Sequence, residues 1–206
     1  MSDIAEYTII LFENDISELK EILEMFLNLI LFHRNLSNND YEDAQGILTN
    51  ITYVKLKNET LNQEIMNIIN EIEKLFSKEP KLYGYNLSLS FFEKSEKKEN
   101  PWEKWNFISI FDKKEELSKK NEIKNDKSDG DSDKENKIRE YMFKIIEKLN
   151  DKGNYMPIVN LSDKNLKNET FSHKFEKEKI QNKEQYLSLF NTYMQKNQEN
   201  IIVINI

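Results

Sequence analysis

The sequence predicts an α+β fold in which helices pack on a mostly antiparallel sheet. Three observations carry that expectation. Extended and helical stretches follow one another in the order strand, helix, strand, helix, two strands, helix, strands. One helical stretch, "ILEMFLNLILF", is apolar on nearly every side, which suits a helix surrounded by protein. The segment "NPWEKWNFISIF" (residues 100–111) puts large apolar side chains on both faces of an extended run. That is the pattern of a strand interior to a sheet covered on two sides.

The elements follow in order. "EYTIILF" (Glu6–Phe12) is a short β-forming run and the expected first strand. Asp15 and Glu18 stand at capping-box spacing before a helix expected to reach about Leu36. Ile47–Leu56 alternates Ile51, Tyr53 and Lys55 against Thr52, Val54 and Leu56, a second strand. Thr60 and Gln63 are placed to cap the next helix, whose stripe Leu61, Ile65, Ile68, Ile72 runs to Pro80. Tyr85–Phe92 sets Leu87, Leu89 and Phe91 on one face. In the following strand Trp105, Phe107 and Phe111 share a face, with Trp102, Ile108 and Ile110 opposite.

Residues 112–137 are almost wholly charged and polar, with Leu117 and Ile123 as apolar anchors. Such a segment buries too little to offset its ordering entropy, so a disordered insert is expected there. A third helix is expected from Ser132–Glu135 to about Gly153, with Ile138, Tyr141 or Met142, Ile145 and Leu149 on one face and Phe143 and Ile146 widening the stripe. Beyond it, "YMPIVNL" reads as extended, 162–182 as polar, Tyr186–Met194 as helical and "IIVINI" as a closing strand. No repeat of roughly 20–50 residues appears, and the whole of 1–206 reads as one domain.

Composition narrows the function. The chain is 38% hydrophobic and 33% charged, and its longest apolar stretch, Ile22–Phe32, is shorter than the ~20 residues of a membrane span. No basic region followed by an apolar core opens the sequence, so no secretory signal is expected. The absence of cysteine removes disulfides, thiolate metal sites and cysteine nucleophiles together. A cytoplasmic protein is expected, with sequons such as Asn50 and Asn168 inert. Its 30 basic residues are interspersed with 37 acidic ones at net charge −7, which argues against a nucleic-acid surface.

Motifs for chemistry are scarce. The two histidines, His33 and His173, lack a motif-spaced partner. Four glycines leave little scope for a phosphate-cradling loop. "DKSDGDSDKE" (Asp126–Glu135) lacks the register of a calcium loop. No catalytic, metal or cofactor site is expected. A rival from another class, a small hydrolase using surface carboxylates, requires paired, partly buried acids near His33 or the sheet edge.

Several strings taken together resemble the autophagy-related protein 101 family. They are "LILFHRN" closing the first helix, "ITYVKLKNETL", "LSLSFFEK" before "PWEKW", and "KIREYMFKIIEKLNDKGNYMPIV". They mark His33, Arg34, Pro101, Trp102 and Trp105 as signature positions with structural roles. The resemblance implies a HORMA domain with three main helices. It also implies a non-enzymatic adaptor pairing with the HORMA domain of autophagy-related protein 13, and stabilising it within the kinase complex that starts autophagosome formation. Such a protein would work in the cytoplasm, at the autophagosome assembly site. The partner face would be Arg139, Phe143 and Ile146, the side of the third helix left once its core face is turned inward; alternatively Phe143 and Ile146 pack under the tail. The family's aromatic recruiting loop is replaced here by "EKSEKKEN", so its recruiting role is not implied. Trp102, nearest that loop, either substitutes for it or belongs to the core. A peptide-wrapping HORMA adaptor of chromosome or checkpoint function is the rival within the fold.

Overall fold

The computed structural model describes residues 4–12, 15–34, 40–79, 81–93, 101–110, 130–151, 171–196 and 198–205. The strands are β1 (Ala5–Phe12), β2 (Tyr41–Gln45), β3 (Thr52–Leu56), β4 (Gly84–Glu93), β5 (Glu103–Ile110), β6 (Phe171–Ile180) and β7 (Ile201–Asn205). The helices are α1 (Ile16–Arg34), α2 (Glu59–Lys78), α3 (Gly130–Leu149) and α4 (Lys183–Lys196), with a short 3-10 helix, Gln198–Asn200, before β7. The fold is α+β, as the sequence predicts.

The main sheet has the order β6-β4-β5-β1-β7. Its β6, β4 and β5 are antiparallel neighbours, whereas β1 runs parallel to both β5 and β7. The sheet is therefore mixed. Antiparallel pairing extends to a separate hairpin of β2 and β3.

Period-two alternation gives the sheet two apolar faces. Tyr7, Ile9, Leu11, Leu87, Leu89, Trp105, Phe107, Ile202 and Ile204 belong to the main core with α1, α2 and α3. Ile10, Ile108, Ile110 and Ile180 form a second core under Tyr186, Leu189, Phe190 and Tyr193 of α4. This explains why β5 is apolar on both sides. Trp102 departs from the expected alternation, since it precedes the strand and packs against the main core beside Phe91. Phe111 lies outside the described residues.

Helix α1 is buried on nearly all sides because four elements surround it. The sheet lies on one side. Lys20 pairs with Glu73 of α2 at 2.8 Å, Lys134 of α3 pairs with Glu18, and Lys55 of β3 pairs with Glu24 at 2.9 Å. Asp15 caps α1 by accepting from the Ser17 N–H at 2.7 Å. At α2 the cap is Asn58 rather than Thr60, and its side chain accepts from the Leu61 N–H at 3.0 Å. The helix begins earlier than the Thr60–Gln63 spacing suggests, and a short amide side chain is as good an acceptor as a hydroxyl.

Other boundaries also move. Helix α3 starts at Gly130, inside the segment expected as a disordered insert, and the contact of Lys134 with Glu18 ties that early part to α1. Residues 112–129, the extended run after Asn154, and the altered loop "EKSEKKEN" beyond its first residue, Glu93, lie outside the described residues. The expected strand Ile47–Leu56 divides into a turn at 47–49 and β3. Strand β6 occupies part of the segment read only as polar, and carries His173.

The turn between β2 and β3 is held from α1. Glu21 Oε2 accepts from the N–H groups of Ile47 and Leu48, each at 2.9 Å, and Oε1 accepts from the Thr49 N–H at 2.8 Å and hydroxyl at 2.5 Å. Asn50 closes the turn with φ of 51°, a left-handed conformation that Asn tolerates better than most residues. A Cβ at Gly46 would meet Glu21 Oε1 and Thr49 Oγ1, so a larger residue there would have to displace the side chains that hold the turn.

Burial raises the Glu21 pKa, but the Leu48 N–H, the Thr49 hydroxyl and N–H, and the Ile47 N–H outweigh it and hold the carboxyl below its ordinary value. The group therefore binds fewer protons when folded. It contributes stability above its unfolded pKa and loses that contribution as pH falls through the lower folded pKa. Urea unfolding across the acidic range is expected to show stability declining with acidification, with a shallower decline in Glu21→Gln. Equal slopes for the two proteins would refute the link.

Candidate partner-binding face

The candidate face is on α3, and its construction begins with how that helix is held. Ile138 and Ile145 are fully buried and Leu149 nearly so, with Tyr141, Met142 and Ile146 partly buried against the same core. Ile146 thus leaves the predicted outward group. It lies close enough in angle to the core stripe that the helix buries it in part. Arg139 and Phe143 remain outward, with Phe143 66% exposed. Arg139 is engaged by Glu135 one turn earlier at 2.6 Å, Lys144 pairs with Glu140 at 2.7 Å, and the Lys144 ammonium lies 5.0 Å from the Tyr141 ring centre. The result is one large apolar side chain standing among charged neighbours. The alternative that Phe143 packs under the tail is not what the described residues show.

The C-terminal end of α3 is fastened by a buried ionic cluster centred on the signature residues. Arg34 ends α1, and its Nε donates to both Glu103 oxygens at 2.9 and 3.0 Å, with an NH2 contact at 2.8 Å. The pair is almost wholly buried, with side-chain exposures of 5% and 0%. The Arg34 NH1 group donates to the Leu149 carbonyl at 3.1 Å, meeting one of the carbonyls that a helix C-terminus leaves without an intrahelical donor. Trp105 Nε1 donates to Glu103 Oε1 at 2.6 Å, and the Trp105 ring stacks on Tyr7 with centroids 4.3 Å apart. The Arg34 guanidinium lies 5.8 Å from the Trp102 ring centre. One ion pair therefore ties together α1, β1, β5 and α3.

Local sequence explains the convergence. Glu103 and Trp105 stand two apart on β5, so both face the core, while Lys104 between them points the other way. Pro101 is half-buried at the entry to this strand. The next residue, Trp102, donates its N–H to the Phe91 carbonyl at 2.9 Å and accepts from the Ala5 N–H at 3.2 Å. That bridges β4 and β1 just before β5 begins. His33 is half-buried beside the Phe32 ring, and burial followed by the Arg34 charge lowers its pKa. Arg34, Trp102 and Trp105 meet in space; His33 and Pro101 flank the cluster. Sequence reasoning missed Glu103, whose signal was a lone acid inside an apolar strand.

His173 meets Glu64 of α2 at 3.3 Å on the surface. Lys177 pairs with Glu71, and Lys179 with Glu79 at 2.5 Å. His173, Lys177 and Lys179 share one face of β6, and they reach Glu64 and Glu71 of α2 and Glu79 at its C-terminal cap, so they lace the edge strand to the helix. Among the described residues there is no group of three or more His, Cys, Asp or Glu that could hold a metal, and no helix is long and apolar enough to cross a membrane.

Removing one member of a buried ion pair leaves the other uncompensated, at a cost of about 3–5 kcal/mol, whereas apolar replacement of both is far milder. Glu103→Leu is therefore expected to destabilise strongly, and the double variant Arg34→Met/Glu103→Leu less than Glu103→Leu alone. Urea titration of both variants tests this. A double variant as unstable as the sum of its singles would disprove the coupling.

Against known proteins, residues 12–163 match the sequence model of the family described as Autophagy-related protein 101. No curated protein matches the chain significantly.

Proposed function

The chain belongs to the autophagy-related protein 101 family, and from that premise we propose that it is a non-enzymatic adaptor pairing with the HORMA domain of autophagy-related protein 13. In this reading it stabilises that partner within the kinase complex that initiates autophagy, in the cytoplasm at the autophagosome assembly site. The observation that carries the reading is Phe143, exposed on a helix whose other large apolar side chains turn toward the core. Its burial by a partner would remove a large apolar surface from water, and the charged rim would select orientation. Aromatic side chains at the centre of such faces commonly dominate binding. The pairing is a contact between two folded surfaces, so little ordering entropy opposes it.

The rival, a domain wrapping a peptide with a mobile C-terminal belt, assigns a different role to the end of the chain. Here β6 and β7 form the two edges of the main sheet, which favours the adaptor. Hydrogen exchange is expected to protect residues 171–180 and 201–205 without added peptide. Protection that appears only with peptide would favour the rival instead.

Mixing the purified chain with the partner's HORMA domain is expected to give a one-to-one complex by calorimetry and to raise the partner's melting temperature. Phe143→Ser should weaken binding by about tenfold or more with no change in the variant's own melting temperature. A chain that neither binds nor stabilises that domain would sink the proposal.

A further inference from the structure

Among the described residues, the most exposed large apolar side chain is not on α3. Ile47 is 92% exposed and Leu48 54% exposed, side by side at the tip of the β2–β3 hairpin. Single exposed apolar residues are ordinary, but these two sit on a turn that is rigidly built. The carboxylate of Glu21 takes four hydrogen bonds from the turn, Gln45 Nε2 donates to Asn50 Oδ1 at 2.9 Å, and the Gly46 N–H donates to the Ile51 carbonyl at 2.8 Å. Satisfying three successive backbone N–H groups from α1 leaves the turn's two apolar side chains directed outward. The backbone that carries them is held before any partner arrives, which lowers the entropy lost on docking.

Charge along the stem describes what would fit around the tip. Asp43 and Glu42 on β2, and Asp40 just before it at the base of the hairpin, are exposed with Tyr41, which is 60% exposed. On β3, Lys55 is turned to Glu24, and Lys57 is the exposed base beyond the strand. An apolar tip on an acidic stem complements an apolar pocket rimmed by lysine or arginine. Position adds a second argument. Glu18 of α1 holds Lys134 of α3, and Glu21, its neighbour at i+3, holds the hairpin turn. The hairpin tip and the start of α3 are therefore fastened to the same end of α1.

Resting on the heterodimer reading above, we infer that the Ile47–Leu48 turn is a second docking element: a preformed apolar knob that enters a basic-rimmed pocket of the same partner domain. The two contacts then have different characters. Phe143 contributes an aromatic ring from a helix face, and the hairpin contributes a clamped aliphatic tip whose acidic stem speeds encounter.

Calorimetry and stopped-flow binding of the full chain to the HORMA domain of autophagy-related protein 13 test this. Ile47→Ser/Leu48→Ser is expected to weaken binding by about tenfold or more while its melting temperature stays unchanged, because both side chains are exposed. Glu21→Gln, which keeps both apolar residues but loosens their support, is expected to weaken binding too. Asp40→Asn/Glu42→Gln/Asp43→Asn is expected to slow association and reduce its dependence on salt. If wild type binds and the Ile47/Leu48 variant binds equally well, the knob is refuted and the heterodimer stands. If wild type does not bind, both readings fall. If sedimentation shows the variant losing self-association while keeping the partner, a second copy of the chain is the occupant and the inference is overturned.

Discussion

The Arg34–Glu103 pair is the constraint on which the arrangement of the main core depends. Arg34 arrives from the last turn of α1, Glu103 from the first residue of β5, and the bond to Leu149 draws in the end of α3. Neither charge can leave its partner without stranding the other in a desolvated site. The surrounding groups reduce that cost further, because Trp105 donates to the carboxylate and the Trp102 ring lies near the guanidinium. Geometry is thereby transmitted from the sheet to the helix that bears Phe143. An apolar pair in the same place would fill the space, but it would not direct a donor at the Leu149 carbonyl.

The same helix serves as the frame for everything exposed. Its N-terminal half carries Glu18, Glu21 and Glu24, each committed to a different neighbour: α3, the hairpin turn and β3. Its C-terminal half carries the apolar run and Arg34. Polar fastening at one end and buried packing at the other leave α3 nowhere to slide, since Lys134 and Leu149 are held near opposite ends of α1. The two elements run side by side in the same direction.

Elements that announce themselves in the sequence are those whose own side chains do the burying. The all-apolar α1, the two-faced β5, the stripe of α2 and the alternation of β4 are legible for that reason. Strand β2, "YEDAQ", is exposed along most of its length and owes its form to pairing with β3, which local pattern does not reveal. Strand β6 carries charges at positions where a core strand has aliphatics, because Lys177 and Lys179 pair with Glu71 of α2 and Glu79 at its C-terminal cap. The cap at Asn58 and the early start of α3 were lost to near-equivalent signals within a few residues. On the candidate face, Phe143 was legible as a residue left over from a filled stripe, while Ile146 was misplaced because an angular margin of a few tens of degrees decides burial. The partner of Glu103 and the support of the hairpin tip were not legible, since both are distant in sequence: Arg34 for one, Glu21 for the other.

The parallel pairing of β1 with β7 bears on how the chain is assembled during synthesis. Ile9 lies opposite Ile202 and Leu11 opposite Ile204, so the first strand made waits for one of the last. The β4–β5 ladder forms between near neighbours, but one side of β1 has no partner until residues around 201 emerge from the ribosome. Non-local pairing of this kind is slow, and an unpaired apolar strand edge invites association with other chains. For this protein the vulnerable interval is the time taken to translate everything between the two strands, which adds a risk of aggregation specific to the nascent chain.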